Sequence, residues 1–231
     1  MKHAQKFHRV AALVAAVIIL IGSITTANAD LITYSDTYGL TVVGSAAGWA
    51  GASLSKFDPS LGTLTMVTLT LDSNTSDNTI VWDNEAGVAT DVTLGIGTKV
   101  TINVFSMLAA TTIPLQTGSS SVTADSDGST DFSGSDAFSF IGGSGSDSNS
   151  SSSTNAAILA LFTGVGTFDA WLSSSISTLI STTDGFGPSF TIAGLTYGKI
   201  SVTYEYIPTP EPATIALLGL SSIALRRRLK L

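Results

Sequence analysis

The sequence predicts an all-β protein: an antiparallel β-sandwich of the jelly-roll or immunoglobulin-like kind, between an N-terminal signal peptide and a short C-terminal hydrophobic helix. Three observations lead to this prediction. Apolar and polar residues alternate with period two along several segments, these segments are rich in Thr, Val, Ile and Tyr, and turn-forming residues separate them. Strands with one apolar and one polar face bury their apolar faces by packing as two sheets.

Residues 1–29 have the three parts of a secretory signal peptide. The basic region contains Lys2, Lys6 and Arg9. A short apolar run follows from Val10 to Ile21, and Ala27 and Ala29 then supply the small residues that signal peptidase accepts before a cleavage site. The alternative is an uncleaved anchor, but the apolar run is short for a membrane span. We therefore expect signal peptidase to cleave the chain and the mature protein to begin at Asp30.

The body of the chain, residues 30–207, contains the predicted strands. The alternation is clearest in LGTLTMVTLTLDS, GTKVTINVF and KISVTYEYI. The residues expected to face the core there are Val67, Leu69, Leu71, Val100, Ile102, Val104, Ile200, Val202, Tyr204 and Tyr206. Further short strands are predicted at Leu31–Tyr38, Thr79–Trp82, Val88–Leu94, Phe138–Ile141, Phe168–Ser175 and Ser189–Ile192. Turns are predicted at Asp58-Pro59, Ser73-Asn74, Glu85-Ala86-Gly87, Asp127-Gly128 and Asp184-Gly185.

Two segments of the body depart from this pattern. NAAILALF, from Asn155 to Phe162, lacks alternation and begins with an asparagine suited to an N-cap, which favours one or two helical turns over a buried strand. Residues 142–154 read GGSGSDSNSSSST and have too little apolar surface to offset the entropy lost on ordering. We expect a mobile loop there, which O-linked sugars could modify.

The composition excludes several classes of function. The chain has 10 Lys and Arg, 17 Asp and Glu, and no Cys. Its two histidines, His3 and His8, lie in the predicted signal peptide, and no arginine lies between residues 30 and 207. The body therefore cannot use thiol catalysis, a histidine-based triad, a zinc site built from His or Cys, or an arginine phosphate clamp. The net charge of −7 argues against nucleic-acid binding, and we expect no enzymatic activity.

Carboxylate chemistry remains open, and the first candidate is a metal site. In DSDGSTD, Asp125, Asp127 and Asp131 surround a glycine turn and could supply the oxygen ligands that Ca²⁺ prefers. The string lacks the spacing and the distal Glu of an EF-hand loop, so an ordinary surface turn is the alternative. We expect no cofactor, with Ca²⁺ as the alternative that these carboxylates leave open.

A second candidate combines carboxylates with an aromatic residue. Asp83 and Glu85 follow Trp82 and suggest an acidic pair beside a sugar-stacking ring. The string WDNEAG is more typical of a solvated turn after a strand, which is the interpretation we favour. The other two tryptophans, Trp49 and Trp171, are interpreted as residues that fill the core.

The chain ends in PTPEPATIALLGLSSIALRRRLKL, residues 208–231. Prolines interrupt regular structure at its start. Ala213 to Leu225 is an uncharged apolar run that would be about 20 Å long as a helix, shorter than the roughly 30 Å hydrocarbon core of a membrane. The cluster Arg226-Arg227-Arg228 would stay in the cytoplasm. These features indicate a transient membrane tether.

The tail closely resembles a known sorting signal. Pro210, Glu211 and Pro212, the apolar run and then Arg226, Arg227 and Arg228 match the order and spacing of the PEP-CTERM signal of exopolysaccharide-producing Gram-negative bacteria. This tail is also labelled the C-terminal domain of ice-binding proteins. The resemblance implies that an exosortase, an integral-membrane enzyme similar to a transpeptidase, cleaves near Pro-Glu-Pro. The protein would pass through an inner-membrane intermediate and then be released, or attached at the cell surface or in the extracellular matrix.

The body resembles the choice-of-anchor E domain, a surface β-module found with different C-terminal sorting tails. The matching segments are KFDPSLGTLTMVTLTLD (Lys56–Asp72), FSGSDAF (Phe132–Phe138), FTGVGTF (Phe162–Phe168) and KISVTYEY. The resemblance supplies no active-site residues. We therefore expect a secreted or cell-surface protein with a non-catalytic structural or adhesive role in an exopolysaccharide matrix. The alternatives are a Ca²⁺-dependent carbohydrate- or ligand-binding module and a carboxylate-based glycoside hydrolase.

Overall fold

A computed structural model describes residues 28–43, 48–125, 127–183 and 189–209 of the 231-residue chain. The signal-peptide prediction up to Ala27, the sorting-signal prediction from Pro210 onward, including the C-terminal hydrophobic helix, and the predicted turn at Asp184-Gly185 lie outside these residues. Within the described part of the chain, no helix is long and apolar enough to cross a membrane.

The described residues form nine strands and one short helix. In chain order these elements are β1 (Asp30–Val43), β2 (Gly48–Ser55), β3 (Gly62–Asp83), β4 (Thr90–Val104), β5 (Met107–Val122), β6 (Ala137–Gly142), β7 (Gly145–Ser153), α1 (Ala156–Phe162), β8 (Thr167–Thr182) and β9 (Ser189–Pro208). Three of the predicted turns, at Asp58-Pro59, Glu85-Ala86-Gly87 and Asp127-Gly128, lie between strands as expected.

The strands form two antiparallel sheets that pack face to face, which confirms the predicted all-β sandwich. One sheet has the order β1-β9-β3-β6, with β7 also paired to β3, and the other has the order β2-β8-β4-β5. The long strand β3 pairs along one edge with β9. Its other edge is shared, because β7 pairs with residues 67–75 and β6 pairs with residues 78–83.

The interior contains two separate hydrophobic clusters. The larger cluster includes nine of the ten residues that the alternation predicts to face the core, and the tenth, Tyr206, packs against it while partly buried. The smaller cluster consists of Ile80, Trp82, Val92, Leu94, Ile96, Val122 and Ile192. In strands β3, β4 and β9 the two clusters use different ends of the same strand, so both extend across the space between the sheets.

A layer of buried polar residues, here called the polar belt, separates the two clusters. It consists of Ser73, Thr75, Asn78, Thr98, Thr111 and Thr196. Ser73 Oγ lies 2.6 Å from Thr111 Oγ1, and Asn78 Nδ2 donates to Thr98 Oγ1 at 2.8 Å, so hydrogen bonds cross from one sheet to the other. Thr75 Oγ1 lies 3.1 Å from Thr196 Oγ1. These hydrogen bonds pair belt residues with one another in a place where water has little access, although Asn78 Oδ1 has no hydrogen-bond partner among the described residues.

The polar belt explains why the predicted turn at Ser73-Asn74 is wrong. β3 continues through these residues, so the separate strands predicted on either side are one strand. Ser73 points into the interior, where its hydroxyl lies 2.5 Å from the hydroxyl of Tyr38 in β1. Burial raises the pKa of Tyr38, because the ionised phenolate would lose its hydration there. Serine and asparagine are common in turns, and here the same residue types make buried hydrogen bonds within a strand.

The serine-rich stretch is an ordered strand, so the predicted mobile loop at residues 142–154 is also wrong. β7 adds to the free edge of β3 and gains backbone pairing there. Asp147 Oδ2 accepts from the N–H of Thr112 at 2.8 Å, and Asn149 Nδ2 donates to the carbonyl of Ala110 at 2.8 Å. Thr112 and Ala110 both lie in β5, which belongs to the other sheet. β7 therefore links the two sheets at this side of the sandwich. Backbone and side-chain hydrogen bonds order the segment in place of apolar burial.

The predicted helical segment is confirmed as α1. The side chain of Asn155 accepts a hydrogen bond from the N–H of Ala157 at 2.9 Å, which is the expected N-cap. The last helical residue, Phe162, is fully buried. The centroid of its ring lies 5.0 Å from the ring centroid of Phe105 and 5.1 Å from that of Phe168. The helix therefore covers one end of the larger hydrophobic cluster.

Candidate functional site

The loop between β5 and β6 is held by a buried carboxylate. Asp83, at the end of β3, is 2% exposed, and its Oδ2 accepts hydrogen bonds at 2.9 Å from the N–H groups of Asp131 and Phe132. Glu85 is half-buried and accepts a hydrogen bond from the hydroxyl of Thr130. The expectation that both acids lie on a solvated turn is wrong for Asp83, because that carboxylate organises the loop from the inside.

The idea of an acidic pair beside a sugar-stacking ring also does not fit this geometry. Trp82 is 1% exposed and belongs to the smaller hydrophobic cluster, so its ring cannot stack on a ligand. Asp83 and Glu85 both accept hydrogen bonds from residues of this loop. The structure thus assigns these two acids to positioning the loop.

The loop brings three carboxylates together, with one change from the predicted set. Oxygens of Asp125, Asp127 and Asp136 all lie within 4.8 Å of one another. Asp131 is not part of this group, and its Oδ1 accepts hydrogen bonds from the backbone N–H and the hydroxyl of Ser133, both at 2.8 Å. Asp136 takes its place and is 5% exposed. Three carboxylate oxygens at this spacing are chemically able to coordinate a hard cation such as Ca²⁺.

Local hydrogen bonds already stabilise two of these carboxylates. Asp125 Oδ1 accepts from the N–H groups of Asp127 at 3.1 Å and Gly128 at 2.8 Å. The hydroxyl and the backbone N–H of Ser129 both donate to Asp127 and lower its pKa, which favours the ionised form. Gly128 has φ +70°, a conformation that suits glycine at the tip of the turn. Much of this geometry is therefore that of an acidic surface turn.

A second feature is an open polar cleft of about 700 Å³ over the five-stranded sheet. Its lining includes Asp72 of β3, Ser148 of β7, and Tyr197 and Lys199 of β9. Ser148 Oγ donates to Asp72 Oδ1 at 2.5 Å, and Asp72 is the register partner of Lys199. Tyr197 is 43% exposed, so the cleft combines one aromatic ring with charged and hydroxyl groups.

A third feature is an exposed tryptophan on the opposite sheet. Trp171 of β8 is 62% exposed, which contradicts the prediction that it fills the core. Its neighbours Ala170 and Leu172 are fully buried, so Trp171 lies on the outer face of the four-stranded sheet. Strict alternation along TFDAWLSSS predicts this placement, because Trp171 shares its parity with Asp169 and Ser173. The side chain of Trp49 lies outside the described part of the chain.

Three residues of these candidate sites, Asp72, Asp136 and Lys199, escaped the sequence analysis. Asp136 is far from Asp127 along the chain, and no spacing pattern links it to the acidic turn. Lys199 and Asp72 meet only because β9 pairs with β3. Of the residues predicted for signal cleavage, Ala29 is exposed directly before β1, and Asp30 opens β1 opposite Tyr206.

Comparisons with known proteins identify no family for this chain. No protein-family model matches it, and no curated protein matches it. Among solved structures it is similar to the infectious bursal disease virus Gt strain at 12% identity, covering 88% of this chain and 51% of that chain with a TM-score of 0.11. It is also similar to the infectious bursal disease virus VP2 subviral particle at 11% identity, covering 87% of this chain and 50% of that chain with a TM-score of 0.11. The chain spans about half the length of these structures, and the TM-scores support no conclusion about fold or function.

Proposed function

We propose that the protein is an exported, exosortase-processed component of the cell surface or extracellular matrix, with a non-catalytic structural or adhesive role associated with exopolysaccharide. One observation supports this role most directly: hydroxyl groups pair across strands on the outer faces of both sheets. Thr33 and Thr203 pair at 2.9 Å and Thr68 and Ser152 at 2.8 Å on one sheet. Thr93 and Ser119 pair at 2.8 Å on the other. Hydroxyl groups donate and accept hydrogen bonds, so these faces match the chemistry of a polysaccharide.

The proposed route to the surface comes from the two ends of the chain. Signal peptidase would remove residues 1–29, the body from Asp30 would fold outside the cytoplasm, and the tail from Pro208 would tether it briefly until exosortase acts. Intact-mass analysis of the protein recovered from its producing cells tests this route. We expect an N-terminus at Asp30 and loss of everything beyond about Pro212. A recovered protein that keeps Arg226 to Leu231 would contradict exosortase processing.

The proposed role is tested by retention on the producer's own exopolysaccharide. We expect the protein to be retained by the immobilised polysaccharide and a deletion strain to form an altered biofilm. Bovine serum albumin, another acidic protein, serves as the control for non-specific retention. Absence of retention together with a normal biofilm in the deletion strain would contradict the proposal.

A Ca²⁺-dependent carbohydrate- or ligand-binding module is the second candidate, and the spacing of Asp125, Asp127 and Asp136 favours it. If these carboxylates bind Ca²⁺, millimolar Ca²⁺ should raise the Tm, because a ligand that binds only the folded state stabilises it. Asp127→Asn should abolish the increase. The matched control Asp131→Asn should keep it, since Asp131 lies outside the group. A Tm that is the same with Ca²⁺ and with chelator would remove this candidate.

A further inference from the structure

We propose that Trp171 and the polar side chains around it form a binding platform for neutral polysaccharides built from pyranose rings. The platform lies on the outer face of the four-stranded sheet, away from the acidic loop and the polar cleft. This inference rests on the proposed association with exopolysaccharide and deepens it, because it names the binding surface and the chemical class of the sugar.

The indole ring of Trp171 lies flat on the neighbouring strand. Its register partner in β2 is Gly51. A Cβ at Gly51 would lie 3.6 Å from Cζ3, 3.8 Å from Cε3 and 3.8 Å from Cη2 of Trp171. These nearly equal distances place the face of the six-membered ring, and not its edge, over Gly51. With 62% of the side chain exposed, the opposite face of the ring is open to solvent.

Polar side chains surround this open ring face. Asp169 and Ser173 lie two residues away on either side of Trp171 in β8, about 7 Å along the strand. Asn103 of β4 is the other register partner of Trp171, about 5 Å across the sheet. Ser53 of β2 is opposite Asp169. Asp169, Asn103 and Ser53 are exposed, so carboxylate, amide and hydroxyl groups border the ring on three strands.

A pyranose ring is complementary to this arrangement. One face of such a sugar carries C–H groups with partial positive charge, which are attracted to the electron-rich face of an indole. Its hydroxyl groups project from the edge of the ring, where Asp169 and Asn103 can accept and donate hydrogen bonds. The ligand should be neutral, because the chain carries a net charge of −7 and Asp169 stands beside the ring. An anionic polysaccharide would be repelled.

A protein partner fits the same surface less well. Stable protein interfaces have an apolar centre with many buried side chains on each partner. Among the side chains that the structure describes, the neighbours of Trp171 named above are polar, and the exposed apolar residue in the same row, Leu108, is separated from it by Asn103. On the described part of this face, an exposed ring with a polar border therefore favours a small, repeated ligand unit over a protein surface.

Affinity electrophoresis of the full chain in native gels tests the platform. The gels contain hydroxyethylcellulose, dextran or the neutral fraction of the producer's exopolysaccharide, and a gel with alginate provides the anionic comparison. We expect retardation in at least one neutral gel and none in alginate. Trp171→Ala should weaken binding at least tenfold, and Trp171→Phe should retain most of it because a flat ring remains. The matched control is Phe190→Ala, which removes a 43% exposed ring from the other sheet and should leave binding unchanged.

Three results would overturn the platform. They are the absence of retardation in every neutral gel, equal retardation of the wild type and Trp171→Ala, and self-association of the wild type in sedimentation that Trp171→Ala abolishes. The last result would show that a second copy of the chain covers the ring. These failures are distinct from failure of the proposed function. A protein that is retained on the producer's matrix equally well with Trp171→Ala keeps its proposed role and uses another surface.

Discussion

Trp82→Ala is expected to lower the free energy of unfolding by about 3–5 kcal/mol, the range for removing a large buried aromatic residue. Trp82 is 1% exposed and is the largest member of the smaller hydrophobic cluster, where it packs with residues such as Leu94 and Ile192. The polar belt separates this cluster from the larger one, so neighbouring apolar side chains have little freedom to fill the cavity. Urea unfolding followed by circular dichroism measures the change.

Trp171→Ala is the matched control for this experiment, because it removes the same side chain from the surface. We expect its free energy of unfolding to stay within about 0.5 kcal/mol of the wild type. The two variants should also differ in fluorescence, since loss of Trp171 removes a solvent-exposed emitter and loss of Trp82 a buried one. Equal destabilisation by the two substitutions would contradict the assignment of Trp82 to the core and Trp171 to the surface.

Gly198→Ala is expected to destabilise the protein by about 3 kcal/mol, at the upper end of the usual cost of overpacking. Gly198 lies in β9 between β1 and β3, and a Cβ there would come within 2.0 Å of the carbonyl oxygen of Asp72 and 2.7 Å of the hydroxyl of Tyr38. That hydroxyl donates to the same carbonyl at 3.0 Å. A methyl group at residue 198 would therefore clash with the backbone of β3. It would also disrupt the hydrogen bond between Tyr38 and the carbonyl of Asp72.

Gly39→Ala provides the control for Gly198→Ala within the same sheet. Gly39 lies in β1, and a Cβ at this position would have no atom within 4 Å. We expect its effect on the free energy of unfolding to be within about 0.5 kcal/mol. Thermal unfolding of both variants gives the comparison. A Gly198→Ala protein as stable as Gly39→Ala would mean that β9 and β3 are not packed as closely as the structure places them.

The fold class could be predicted because the alternation is strong wherever a strand contacts a hydrophobic cluster. Val67, Leu69 and Leu71 are fully buried, as the period-two pattern requires. The same rule fails at Ser73, where the inward residue is polar and its partner lies on a distant strand. The residues near Ser73 in the sequence do not indicate that the hydroxyl of Thr111 forms a hydrogen bond with Ser73 in the interior. Buried polar pairs of this kind become visible only when the sheets are brought together.

The strand β7 shows a different limit. The composition of residues 145–153 indicates that the segment cannot form a core of its own, but this does not make it disordered. The free edge of β3 supplies backbone partners, and Asp147 and Asn149 supply the bonds to β5. An isolated peptide of this sequence lacks both sources of stabilisation. Tertiary context therefore determines its structure.

The candidate sites were predictable in part. The turn containing Asp125 and Asp127 was recognised from its own residues, whereas Asp136 joins it only after the loop folds back around Asp83. Trp171 was assigned to the core because tryptophan is usually buried, although the alternation of its own strand predicts the surface. The residue type of Trp171 predicts burial and its position in the alternation predicts exposure, and the side chain is exposed.

The place of β9 between β1 and β3 has a consequence for the order in which the chain can fold. Of the strands that the structure describes, β9 is synthesised last, yet it is the strand that joins β1 to the rest of its sheet. Until residues 189–208 are available, β1 has no partner in that sheet and one edge of β3 stays open. Contacts between such distant parts of a chain form slowly, and unpaired edges invite aggregation. The sheet that contains β1 should therefore assemble only after residues 189–208 have been synthesised, so the first strand of that sheet in the sequence is among the last to gain a partner.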